Sequence, residues 1–230
     1  SEGLQAAGIE LLLASTGYSP EREEEQLRTL IGWAPSAIVV TGRRHTPGAL
    51  RLLSEAHAAG TPVVEVWDRH PEEPTPFAQI GFDHGQVGRA MARHLLDAGH
   101  RDVAYLDSGV VTDFRAHERG AAFAEELRER GARVKLLRAA TGDPFDAGRQ
   151  AFVALEALRG TTPTAVACAN DQLACGLMMQ ALAQGMPVPQ GLAVLGFGDF
   201  PVGRQLTPAL STVRPPSYDI GRAAAQALVQ

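Results

Sequence analysis

The chain has 230 residues, 45% of them hydrophobic and 6% aromatic, and a formal charge of −5. This is ordinary globular composition with enough chain to bury a core, and no run approaches the ~20 apolar residues of a membrane span. The acidic balance makes these residues poor at holding nucleic acid by themselves.

The two cysteines, Cys168 and Cys175, lie in apolar surroundings and read as reduced core residues, which suits a cytosolic compartment. No Cys/His grouping has metal-ligand spacing, and the opening residues lack the pattern of a signal peptide.

In chain order, residues 1–8 read as the last turns of a helix ended by Gly8, with more protein expected before them. Ile9–Thr16 (IELLLAST) reads as a buried strand. Pro20–Ile31 reads as a helix with proline and acids in its first turn. A strand is expected at Ala37–Thr41 and a helix at Leu50–Ala59, closed by Gly60. Val63–Trp67 and Ala78–Phe82 read as strands around the proline-rich loop 71–76.

The period turns helical at Gly85–Ala98, closed by Gly99. A strand at Val103–Leu106 precedes a helix at Phe114–Arg130. A strand at Val134–Leu137 precedes a helix at Asp146–Leu158. Ala165–Cys168 is an apolar strand that turns at Asn170-Asp171 into a helix running to Gly185. Leu192–Phe197 leads into Gly198-Asp199-Phe200, Leu210–Val213 is extended, and Tyr218–Gln230 is helical, with chain expected beyond it. Alternating apolar strands and helices joined by short links predict parallel βαβ units with helices on both faces of each sheet, an α/β fold.

Polar residues recur where these strands end: Ser15-Thr16, Thr41-Gly42-Arg43, Trp67-Asp68, Asp83-His84, Asp107-Ser108, Asn170-Asp171 and Gly198-Asp199. In open α/β sheets ligands bind at the carboxyl ends of strands. A rim of hydroxyls, amides and carboxylates suits a polyol, and Phe145 could supply the aromatic face for its C–H groups. The plainer reading of each member is a helix cap or turn residue. His45, just after a strand end, is open to either reading. His94 and His57, within helices, read as surface or packing residues, His100 follows a helix-ending glycine where a cation is favourable, and Trp33 and Trp67 read as core. The chain has no G-x-S-x-G elbow, P-loop or H-E-x-x-H, so no enzymatic chemistry is expected.

Four segments resemble one family. Asn170-Asp171-Gln172-Leu173-Ala174-Cys175-Gly176 is similar to the N-D-x-x-A-x-G segment of lactose-repressor-type (LacI) transcription regulators. Arg119–Leu127 resembles their R-x-x-G-F/Y-x-x-A-L segment, with Ala122 and Glu126 as departures. His94–Arg101 resembles H-L-x-x-x-G-H-R/K, and Leu206–Val213 resembles P-x-L-T-T-V/I. Val63–Asp68, Gly88–Leu95 and Gly196–Phe200 are similar to the gluconate-operon-repressor branch. There Gly198 stands where the wider family has an acid, and Asp199 follows one position later.

The resemblance implies two similar parallel-sheet subdomains of the periplasmic-binding-protein type, with the ligand in the cleft between them. Residues 1–99 with 213–230 would form the N-terminal subdomain, lacking its first strand, and residues 100–212 the C-terminal one. The DNA-binding helix-turn-helix would lie outside this sequence. The implied function is effector binding and dimerisation in a cytoplasmic regulator, with a sugar or gluconate-like sugar acid as effector, operator DNA as partner through the missing head, and a homodimer. No cofactor, metal or membrane is implied. The competing reading is a periplasmic-type sugar-binding protein for transport. Arg119 and Asn170 are the leading ligand contacts, with Asp113 and Arg115 near Arg119, Phe145 stacking on the ligand, and Asp199, His45, Thr16 and Gln86 as further candidates.

Overall fold

The computed structural model describes residues 4, 8–70, 72, 75–157 and 163–229. These divide into two units, Ser1–Asp83 with Pro216–Gln230, and His84–Pro215.

The first unit is built on a parallel sheet of order β1-β2-β3, from Ile38–Thr41, Val63–Asp68 and Ala78–Phe82. Helix α1 (Pro20–Ile31) is capped by the Ser19 hydroxyl, and α2 (Pro47–Ala58) by Thr46, each with proline in its first turn. The proline places the start of α2 a turn earlier than the sequence periodicity does. Leu27, Ile38, Val40, Leu53, Val63 and Phe77 make the core, and the closing helix Ser217–Val229 packs on β2 and β3.

One expected strand is not formed. Ile9–Thr16 is irregular, and Leu11, Leu12 and Leu13 are 47%, 55% and 86% exposed. An apolar run becomes a strand only when a neighbour pairs its backbone groups. Among the described residues no strand does so. Most of the expected helix before Gly8 lies outside the described residues, as do Pro71, Glu73, Pro74, Leu158 and Gln230.

The second unit carries five parallel strands in the order β5-β4-β6-β7-β8. They are β4 Asp102–Asp107, β5 Arg133–Arg138, β6 Ala165–Cys168, β7 Ala193–Phe197 and β8 Ser211–Val213. Its helices are α3 (His84–Asp97), α4 (Phe114–Glu129), α5 (Pro144–Glu156) and α6 (Asp171–Ala183). β4 to β5 and β5 to β6 run in opposite directions across the sheet. Right-handed crossovers therefore put α4 on one face and α5 with α6 on the other.

The unit boundary falls at Asp83 rather than at Gly99. Helix α3 packs along α4, sharing Met91, Ala92, Leu95 and Leu96 with Phe123 and Leu127 in one core. Glu126 also binds both Arg93 of α3, at 2.9 Å, and Arg130, at 2.5 Å.

Candidate functional site

The turn after β6 is set by burial on one side and capping on the other. Ala165–Cys168 is fully buried, and the Ala169 N–H extends the ladder by donating to the Leu106 carbonyl at 2.8 Å. Asn170 then leaves the sheet, and its Oδ1 accepts the N–H of Leu173 at 2.9 Å as the N-cap of α6. Asp171 is 0% exposed. Burial pushes its carboxyl up, against hydrogen bonds from the Thr212 hydroxyl at 2.5 Å and the Phe200 N–H at 2.6 Å. Capping is therefore the role of the Asn170 oxygen, whereas the Asp171 carboxylate ties the helix start to Thr212 and Phe200. The amide nitrogen of Asn170 is left to donate elsewhere.

Arg119 reaches the same turn from α4. The Tyr105 hydroxyl donates to the Ala116 carbonyl at 3.0 Å, and a Cβ on Gly120 would lie 2.6 Å from the Tyr105 ring. On the other side Gly88 of α3 seats against the Arg119 carbonyl, where a side chain would collide. Two glycines thus press α4 against β4 and α3, and Arg119 points inward with Phe123 one turn on. Phe123 is 0% and Arg119 4% exposed.

Inside, Arg119 Nη2 donates to the Ala169 carbonyl at 2.8 Å, and Nη1 lies 2.8 Å from His84 Nδ1. The guanidinium carbon sits 4.0 Å from the centroid of the Phe197 ring. Nε has no hydrogen-bond partner among the described residues. No carboxylate pairs with this cation among the described residues. Asp113 and Asp143 instead cap α4 and α5, through Ala116 N–H at 3.1 Å and Phe145 N–H at 2.9 Å. A buried cation without an anion costs several kcal/mol unless something meets it. The Phe197 face returns about 2 kcal/mol of that.

Other carboxylates where the strands of this sheet end are engaged within the protein. Asp107 accepts the Gly109 N–H at 3.2 Å and lies 3.4 Å from His117. Asp199, in the left-handed region at φ 54°, is held by Arg204 at 2.7 Å and by Arg214. Arg204 and Arg214 keep its carboxyl low. Asp199 is therefore spoken for by arginines, unlike the free acid its place on the rim suggested.

The remaining predicted residues divide. Phe145 opens α5 with its side chain packed against the core, and its carbonyl lies against Gly176. Arg115 lies 5.0 Å over the neighbouring Phe114 ring. Gln86 is exposed in the first turn of α3. Thr16 and His45 belong to the first unit. Thr16 lies in the irregular stretch, and its carbonyl accepts the Ser19 N–H at 3.1 Å.

The His45 side chain is 2% exposed, with Nδ1 2.9 Å from Glu23 and Nε2 3.4 Å from Glu65. Burial opposes its charge, but the two carboxylates outweigh burial and hold His45 up to about 9. It is a buried structural cation, and Glu65 is further tied to Thr75 and Gln79, each at 2.9 Å.

Sequence reasoning missed His84 and Phe197 as partners of Arg119. His84 stands on the polar rim and Phe197 in the Gly196–Phe200 segment, but nothing local pairs either with Arg119, since the contact depends on three elements meeting. It also missed the Arg43–Asp68 ion pair, 3.1 Å apart and almost fully buried, beside Trp67 at φ 85°.

An open depression of about 370 Å³, lined by Met91, His94, Leu195 and Thr212 among others, includes neither Arg119 nor its partners. Both cysteines are free and buried, and burial pushes the Cys175 thiol up to about 11. Among the described residues no group of three His, Cys, Asp or Glu is placed to hold a metal, and no helix is long and apolar enough to cross a membrane.

Residues 92–230 match the family model of the periplasmic binding protein-like domain. The chain is similar to the HTH-type transcriptional regulator GntR of Pseudomonas aeruginosa, 34% identical over 228 residues, 98% of this chain and 64% of that protein. It is 30% identical to GntR of Escherichia coli, over 97% of this chain and 65% of that one. It thus spans just under two thirds of these curated relatives. Among solved structures, a LacI family regulator from Silicibacter pomeroyi superposes with a TM-score of 0.89 at 28% identity, over 99% of this chain and 67% of that one. The transcription regulator GntR from Chromobacterium violaceum gives 0.87 at 31% identity, over 99% and 81%. The chain belongs to the periplasmic binding protein-like domain family, in the form carried by LacI-type regulators.

Proposed function

We propose that this chain is the effector-binding and dimerisation domain of a cytoplasmic LacI-type transcription regulator, and that its effector is a sugar acid of the gluconate type. One observation carries the ligand class: Arg119 is a buried cation with no carboxylate partner among the described residues. An effector carboxylate would supply the missing anion, and arginine is the side chain best shaped to take it. The Asn170 amide nitrogen would donate to a hydroxyl beside it, with Phe145 and Arg115 of the same unit as further proposed contacts. The capture of Asp199 by two arginines favours the same class, because it removes a free acid that would repel such a ligand.

Operator DNA would be bound by a part of the protein other than these 230 residues, and the regulator would act as a symmetric homodimer on paired half-sites. The relatives are transcription regulators rather than enzymes or transport proteins, which sets the transport reading aside. A calorimetric screen of this chain against sugars, sugar acids and purines tests the proposal. Binding of a C5–C7 sugar acid is expected. Tight binding of a purine, with silence from every sugar acid, would overturn it.

A further inference from the structure

We infer that His84 is a positioning residue for Arg119, held as a neutral imidazole whose hydrogen is on Nε2. A guanidinium has five N–H donors and no acceptor. With His84 Nδ1 2.8 Å from Arg119 Nη1, the imidazole nitrogen must be the acceptor and carry no proton. His84 is 1% and Arg119 4% exposed, so a doubly protonated ring would set two cations against each other away from water.

The backbone explains why the two meet. Gly88 of α3 seats against the Arg119 carbonyl, and His84 lies one turn before Gly88 on the same face of α3. The helix contact that fixes α4 therefore delivers the imidazole to the guanidinium.

The result is a clamp on three sides. His84 holds Nη1, the Ala169 carbonyl holds Nη2, and the Phe197 ring lies 4.0 Å from the guanidinium carbon. The His84 ring also faces Phe197, with centroids 6.2 Å apart and planes tilted by 58°. Two end bonds fix rotation within the guanidinium plane, and the aromatic face fixes the plane itself. The hydrogens left over are thereby aimed in advance, which lowers the cost of ordering the side chain when an anion arrives. His84 thus sets the direction of the Arg119 fork without itself needing to touch the ligand. This consequence rests on the sugar-acid reading of the site, whereas the protonation state of His84 does not.

The test has two arms on the full chain. Nitrogen-15 NMR of labelled histidines at pH 7 needs no ligand. It should show His84 as a single Nε2–H tautomer with an unprotonated, hydrogen-bonded Nδ1. A protonated Nδ1, or the averaged signals of an exchanging exposed ring, would overturn the assignment whatever the effector is. In the second arm gluconate is titrated into two variants. His84→Asn keeps an acceptor oxygen at the Nδ1 position and should bind within about threefold of the parent, whereas His84→Leu removes it and should bind at least about tenfold more weakly, as for loss of a hydrogen bond to a charged group. Equal affinities for His84→Asn and His84→Leu would overturn the positioning role. If the parent binds no sugar acid, the effector reading and with it the aiming of Arg119 fail together, while the NMR arm still decides the tautomer.

Discussion

Arg119 and Ala169 are joined by a 2.8 Å hydrogen bond from guanidinium to backbone carbonyl. It ties α4 to the last residue before Asn170. A single bond therefore couples the buried cation to the turn that presents the amide. The two leading candidate contacts lie in one place because one holds the backbone of the other.

Asn170 can be separated into its two roles. Asn170→Asp keeps an oxygen to cap Leu173 and adds a charge that a helix N-terminus favours by about 0.3–1 kcal/mol. Thermal stability should hold or rise slightly. Affinity for a sugar acid should fall at least about tenfold, because the amide donor is replaced by a carboxylate that repels the ligand. Asn170→Ala should lose about 1 kcal/mol of stability with the cap. Melting curves and calorimetry on both variants check this, and unchanged sugar-acid affinity in Asn170→Asp would confine the residue to capping.

Gly120 should resist any side chain. Its added Cβ would lie 2.6 Å from the Tyr105 ring, and that ring is 1% exposed with its hydroxyl bonded to Ala116. Gly120→Ala should cost about 1–3 kcal/mol by overpacking, and should weaken effector binding by moving Arg119. Denaturant unfolding measures the first effect. A variant as stable as the parent would mean that α4 is not pressed on β4 as described.

His45 makes the first unit sensitive to alkali. Its folded pKa of about 9 lies above its ordinary value of 6.5, so the protonated form favours the native state. That contribution is complete below about 6.5 and is lost as pH rises through about 9. The loss should be on the order of 3 kcal/mol, read as falling unfolding free energy between pH 7 and 10. His45→Gln should flatten that dependence. A parent profile flat over the same range would contradict a charged His45 between Glu23 and Glu65.

Much of the fold is legible in the sequence because its cues are local. Proline and acids open α1, apolar runs mark β2, β4 and β6, and closing glycines end the helices. Ile9–Thr16 misleads because an apolar run shows that a segment can be a strand, while pairing depends on a neighbour. The site is legible only in part. Arg119 and Phe123 share a helix face by spacing alone, so the burial of Arg119 follows from periodicity. Its partners do not, since His84 and Ala169 lie 35 and 50 residues away. His45 and Asp199 look like ligand groups in sequence because nothing local reveals the charges that capture them: Glu23 and Glu65 for one, Arg204 and Arg214 for the other.

Titration calorimetry of gluconate into the parent chain and Arg119→Lys decides whether an effector carboxylate completes Arg119. Lysine keeps the charge but loses the planar fork and cannot hold both His84 and Ala169 as arginine does. The parent should bind, and Arg119→Lys should lose about 1.5–3 kcal/mol of binding free energy, the range of a hydrogen bond to a charged group. The melting temperature should change much less than the affinity. If Arg119→Lys binds gluconate like the parent while melting earlier, Arg119 is structural and the effector lies elsewhere.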